Sequence, residues 1–540
     1  MKALAPLLSF ITILRTVRGQ PPVVKTPLGL IQGVSTDQAN VFRGIRFGTA
    51  ARWEPPQPVK AWDGVYNATM DGAGCPQHCN LPPITCPPVT SEDCLMLNVF
   101  APKSAKSGDK LPVMLFIHGG AFHQGYIGGP LYTGNSFVQE NIVYVAIQYR
   151  LGALGFLNRG KDASNITGNY GLMDQVLAME WVRDNIDAFG GDPSEVTIFG
   201  QSAGSQSVAA HLLEGAPAKD LFKRGALFSC PWGIPFRTET QAKSLANAFS
   251  KHGGCKELLT KNVDKCLMNL TSDEVVGAMV AAETELRIEL AHIVELFEAW
   301  TPTRDTPNAP ENLLDAYQAG RVQDKEIIIG SVHDEGENFV YEAFKTPVSS
   351  AEEDLLLEFL DPKHIFKVKN HYAVPGKDTR DALVGVATDG LFKCPTRYLF
   401  SNLSASKEKK HFVYHFNHVA SFGDKFWGDE TECLNATCHG GDLPFDFHPD
   451  ISSLKAVYTE EEKSMMAVLQ GLLMSFAKTG TPAYSPGNAE KCPALTWPAF
   501  TGDTMESMYF QTPCPSVKSN KITTAQLVVG LRYIWLLPSQ

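Results

Sequence analysis

Thr197–Leu213 reads TIFGQSAGSQSVAAHLL, and at its centre Ser202 stands between Gly200 and Gly204. A serine spaced this way from two glycines is the pattern of a nucleophile raised on a tight turn. A serine hydroxyl is a weak nucleophile by itself. It needs a base, a group that orients the base, and donors for the oxyanion that forms. In a chain with 45 glycines the five-residue pattern is weak evidence alone, so its neighbours must carry the reading. The strand-like run Val196–Phe199 precedes the serine and the helix-like SQSVAAHLL follows it. A sharp strand-to-helix turn strains the backbone at the serine and leaves room only for glycine two residues away on either side. It lifts the Ser202 hydroxyl clear of the sheet, and the helix N-terminus beneath favours negative charge. A plain Gly/Ser turn is the competing reading, and the strand and helix on either side argue against it.

The other parts are sought in the same way. FIHGGAF places His118-Gly119-Gly120-Ala121 after an apolar run. Gly119 and Gly120, with the N–H of Ala203, would make a three-donor oxyanion hole. In folds with such an elbow, an acid and then a histidine follow the serine in chain order. EIIIGSVHDEGENF offers both Asp334 and Glu335, and pattern does not choose between them. Seven histidines follow: His364, His371, His411, His415, His418, His439 and His448. His439 stands out because CHGGDLPF is a glycine-rich loop from which a side chain can project into a site.

The elements that must hold these residues alternate between strand and helix patterns. PVMLFI, IVYVAIQYR, EVTIFG, the opening of KEIIIGSVHDEGENF and KHFVYHFNH read as strands. GLMDQVLAMEWVRDNIDAF reads as a helix, since Leu172, Val176, Met179, Val182 and Ile186 recur at steps of three and four; Gly190-Gly191 stops it. This alternation predicts an α/β fold, a mostly parallel sheet with helices on both faces. Residues from about 215 to 320 read as a more helical insertion over one end of the sheet.

FRGIRFG, SEDCLMLNVF, PVMLFIHGGAF, the long block GNYGLMDQ…TIFGQSAGSQSV, SCPWGIPF, DEGENF and CHGGDLPF together resemble the type-B carboxylesterase/cholinesterase family. The likeness runs in order along nearly the whole chain after its first residues. The extra cysteines and CPTR at 394–397 look more like the slime-mould branch that holds the cAMP-regulated D2 and crystal proteins. The resemblance implies an α/β-hydrolase fold and a serine esterase that needs no metal or cofactor. Residue by residue, it implies Ser202 as nucleophile, Glu335 as acid, His439 as base, and Gly119, Gly120 and Ala203 as oxyanion donors. It also implies disulfides Cys75–Cys94 and Cys255–Cys266. Proximity adds Cys79–Cys86 and Cys433–Cys438; the second would stiffen the loop before His439. Cys230, Cys394, Cys492 and Cys514 are left without an evident pairing.

Two departures bear on the substrate. Cholinesterases carry Glu before the nucleophile and a tryptophan in the loop before SEDC. This chain has Gln201, and CPQHCNLPPITCPPVTSEDC contains no tryptophan. Both missing groups would serve a cation, by charge or by attraction to an aromatic face. Small-molecule or lipid esters without a choline group are therefore the expected substrates, with Gln201 in the substrate site. Lipase-like or juvenile-hormone-like specificity, and a non-catalytic adhesion protein, are the rival readings.

The remaining features bound the setting. With 540 residues, 44% hydrophobic, and no linker or repeat, the chain reads as one domain over residues 20–540. Met1-Lys2 and the apolar run to Leu14 read as a secretory signal over residues 1–19, too short to span a membrane. Twelve cysteines fit an oxidising compartment. The clustered four are separated by three, six and seven residues, which is not paired zinc-knuckle spacing. Five N-x-[ST] sequons, at Asn67, Asn165, Asn269, Asn402 and Asn435, are candidate glycan sites in a secreted chain. A net charge of −11 without a basic cluster argues against nucleic acid. Oligomeric state is left open.

Overall fold

Eleven strands of the described residues join in one sheet. They are β1 Val34–Ser35, β2 Ala39–Arg46, β3 Met96–Pro102, β4 Leu111–Ile117, β5 Val143–Ile147, β6 Gly191–Gln201, β7 Arg224–Phe228, β8 Ile327–Val332, β9 His411–Phe416, β10 Glu506–Phe510 and β11 Ser516–Ser519. The computed structural model describes residues 21–162, 164–255, 260–286, 297–309, 311–360, 364–487 and 491–519. The expected signal segment lies outside them.

The order across the sheet is β11-β10-β9-β8-β7-β6-β4-β5-β3-β2-β1. Pairs from β5 across to β10 are parallel. The outer pairs are antiparallel. The central strands are apolar at nearly every position because side chains alternate between two covered faces. In β4, Val113, Leu115 and Ile117 enter one core while Met114 and Phe116 enter the other. Val143, Val145 and Ile147 part from Tyr144 and Ala146 in the same way in β5.

Four helices matter for the site: α1 Tyr170–Asn185, α2 Ala203–His211, α3 Gly336–Ala343 and α4 Glu460–Thr479. Leu172, Met179 and Val182 of α1 cover the first core; Met465, Leu469, Leu472 and Phe476 of α4 cover the second. Helix α1 also buries Asp174, which takes two hydrogen bonds of 2.8 Å from the Arg150 guanidinium. A short 3-10 turn follows α1, and Gly190 ends it with φ near +88°, a conformation glycine adopts without strain.

One sequence expectation is corrected. The stretch from about 215 contains β7, which lies in the middle of the sheet between β6 and β8. Its five residues are too few for periodicity to separate a buried strand from a helix. The insertion starts beyond it. Helices Glu239–His252, Thr260–Met268 and Ser272–Leu286 pack around Phe249, Met279 and Trp300 as a separate apolar cluster.

Five disulfides form: Cys75–Cys94, Cys79–Cys86, Cys255–Cys266, Cys433–Cys438 and Cys492–Cys514. The last was not evident from spacing, because its cysteines are 22 residues apart and meet only when the chain folds back. Cys230 and Cys394 are buried free thiols. The five sequon asparagines are all exposed. Among the described residues no helix is long and apolar enough to cross a membrane.

Candidate active site

Ser202 sits where β6 ends and α2 begins, with φ 58° and ψ −127°. A side chain at this φ is strained, and surrounding contacts must hold it there. The Ser202 N–H donates to Phe228 O of β7 at 2.9 Å, and Ser202 O accepts from Ser205 N at 2.8 Å and Ser205 Oγ at 2.7 Å. The glycines are required by contact. A Cβ on Gly200 would lie 2.4 Å from Gly204 O, and one on Gly204 would lie 2.1 Å from Ile117 O.

The donor loop leaves β4 directly beside this turn. A Cβ on Gly119 would lie 3.0 Å from Ser202 Cβ, so the two backbones are in close approach. Among the described residues, no protein acceptor takes the N–H of Gly119, Gly120 or Ala203. His118 orients the loop, a role that sequence reasoning missed. Its Nδ1–H donates to Gly119 O at 2.8 Å, its ring stacks on Tyr149 at 4.5 Å, and Tyr149 Oη donates to His118 O at 2.9 Å. Burial pushes the His118 imidazole down to about 4, so it stays neutral. Fixing the Gly119 carbonyl fixes the next N–H, because a trans peptide points the two in opposite directions.

Three-dimensional packing separates the two acids. Glu335, fully buried after β8, accepts from Val332 N at 2.8 Å and, through Oε2, faces His439 Nδ1 at 2.5 Å. Asp334 turns to the backbone of the histidine loop: its N–H donates to Thr437 O at 3.0 Å and its Oδ2 accepts from Thr437 N at 2.9 Å. Asn338 of α3 adds a third tie, accepting from His439 N at 3.0 Å. The Cys433–Cys438 bond closes the chain just before His439.

The other histidines do different work. His411 meets Ser404, His415 meets Arg397 and His418 meets Glu462.

His439 does not hydrogen-bond Ser202 in this arrangement. Its Nε2 is 3.1 Å from Nε2 of Gln201. Around the ring stand Phe339 at 5.0 Å and Phe392 at 5.3 Å, with Phe297 against Phe339 at 5.3 Å. Phe392 comes from a wide-turned π-helix, Thr388–Lys393, whose Thr388 Oγ1 accepts from Gly336 N at 2.9 Å. One segment thus supports the acid loop and packs the histidine. The wall is apolar and aromatic.

Two buried carboxyls near the site had no role in the sequence reading. Burial, then the nearby Glu335 charge, pushes Asp442 up to about 6; Tyr414 Oη donates to it at 3.0 Å. Burial pushes Glu298 up to about 8. Only burial distinguishes either from an ordinary acidic residue, and no local pattern reports it.

A strand-to-helix serine turn, a glycine loop with unpaired N–H groups and an acid–histidine pair, gathered beyond the C-terminal ends of a mostly parallel sheet's strands, define an α/β-hydrolase. Residues 20–527 match the model of the carboxylesterase family, and the chain belongs to that family. It is a carboxylic ester hydrolase. Over 468 residues it is 37% identical to the crystal protein of Dictyostelium discoideum, covering 85% of this chain and 82% of that protein. It is 34% identical to the cAMP-regulated D2 protein of the same organism, covering 85% and 84%. A solved thermophilic PNB esterase matches with TM-score 0.76 and 30% identity, covering 92% of this chain and 98% of that one.

Proposed function

We propose that the chain hydrolyses neutral carboxylic esters outside the cell, through an acyl-enzyme on Ser202. The observation that carries the reading is the Glu335–His439 contact of 2.5 Å, held beside the Ser202 elbow and the free donor loop. His439 removes the Ser202 proton as Ser202 Oγ attacks the ester carbonyl. Glu335 keeps the imidazole in the tautomer with Nδ1 protonated and stabilises its charged form. The N–H groups of Gly119, Gly120 and Ala203 receive the oxyanion. His439 then protonates the departing alcohol, and water releases the acyl group by the same steps.

The substrate preference rests on Gln201, a neutral amide that offers no charge to a quaternary ammonium group, and on the tryptophan missing from the loop before Ser91-Glu92-Asp93-Cys94. The five disulfides and the exposed sequon asparagines support an extracellular setting, with residues 1–19 as signal peptide and 20–540 as a single domain. The apolar wall fits a small-molecule or lipid ester.

The test is labelling with a fluorophosphonate, peptide mapping of the adduct, and turnover of aryl esters of increasing acyl length. The label is expected on Ser202, with label and turnover lost in Ser202→Ala. An unlabelled wild type would overturn the enzyme mechanism and favour a binding role. Choline esters turned over faster than simple aryl esters would overturn the substrate class.

A further inference from the structure

Gln201 occupies the histidine nitrogen that the nucleophile needs. With Nδ1–H given to Glu335, His439 Nε2 carries only a lone pair. The amide group 3.1 Å away must therefore present its N–H there, since a carbonyl would set acceptor against acceptor. Packing holds this orientation. A Cβ on Gly119 would lie 2.8 Å from Gln201 Oε1, and one on Gly440 would lie 3.7 Å from Gln201 Nε2, so the amide bridges the donor loop and the histidine loop. Gln201 is itself 5% exposed and has little freedom to leave.

We infer that Gln201 is a positioning residue that caps the neutral form of His439, holding the ring ready and unprotonated until substrate brings Ser202 Oγ to Nε2. The inference rests on the triad proposed above. An N–H donated to Nε2 can exist only while that nitrogen lacks a proton. The cap therefore favours the uncharged imidazole and extends activity to lower pH. A carboxylate at the same place would do the reverse, pairing with the imidazolium and keeping the base protonated until higher pH. The motif residue that distinguishes this chain from choline-hydrolysing relatives thus acts on the base as well as on the substrate.

Other charged groups around the ring stay constant in the test. Glu335 faces Nδ1, Asp442 lies behind on the same loop, Lys393 stands beside Glu335 and Asp334, and Glu430 holds Asn338. The experiment is the pH profile of kcat/KM on a neutral aryl ester for wild type, Gln201→Met and Gln201→Glu. Each protein is checked for fluorophosphonate labelling of Ser202 and for its thermal transition. The midpoint of the acidic limb is expected to rise by roughly half to one pH unit in Gln201→Met, the worth of one neutral hydrogen bond. It is expected to rise further in Gln201→Glu, which has the shape of the native side chain. Coincident midpoints in three labelled, folded proteins would overturn the cap and leave the triad standing. Absence of label on the wild type would instead overturn the triad.

Discussion

Gly204→Ala tests whether the elbow works by close approach. The added Cβ would lie 2.1 Å from Ile117 O, 2.8 Å from His118 O and 2.9 Å from Ile117 C. Two of these atoms belong to Ile117 at the end of β4 and the third to the next residue, and β4 cannot move without unpairing from β5 and β6. Ordinary carbon–oxygen contact needs a little over 3 Å, so the start of α2 must withdraw by about 1 Å, an overpacking that costs about 1–3 kcal/mol. That withdrawal carries Ser202 Oγ and Ala203 N–H away from Gly119 and Gly120. A misplacement of about 1 Å at a reacting group costs about 100-fold in rate, equivalent to about 2.7 kcal/mol of barrier. The expected result is a folded protein with a lowered thermal transition, KM little changed, and kcat and the fluorophosphonate labelling rate both down about 100-fold. Wild-type kcat in a folded Gly204→Ala protein would refute the close-approach account.

Two further perturbations separate other parts of the structure. Glu335→Gln should lower kcat by about four orders of magnitude, because the amide cannot hold the required tautomer. Asp334→Ala should mainly lower the thermal transition, by loss of the Thr437 tie; the opposite ranking in kcat would reassign the acid. Glu298→Gln probes the buried carboxyl through the pH dependence of stability. Burial holds Glu298 up to about 8 when folded, while the unfolded carboxyl ionises near its ordinary 4.5. The native state therefore binds the extra proton, and stability is lost as pH rises between those values. Glu298→Gln should gain stability over wild type progressively from pH 5 to 8, measured by thermal denaturation; a gap constant with pH would show the carboxyl to be charged in the fold.

How much the sequence disclosed follows the range of each interaction. The elbow, its two glycines, the donor loop after β4 and helix α1 are local. Strand run, turn residue and helix period lie within a dozen positions of one another, so the backbone geometry they require is legible from residue types. The sequence also marked the central strands, because a sheet covered on both faces leaves them apolar at every position. Beyond that range, composition is silent. Strand β7 lay hidden in a stretch read as insertion, and Cys492 and Cys514 had no visible partner. Asp334 and Glu335 are neighbours with the same charge. Only the approach of a loop 104 residues away gave one of them an imidazole and the other a backbone. The contact between Gln201 and His439 joins residues 238 apart. The sequence by itself marked a serine turn and a glycine loop as the candidate nucleophile and donors. Only tertiary structure decided which of the two acids meets His439 and that Gln201 meets its other ring nitrogen, because those contacts depend on distances between segments that chain order does not encode.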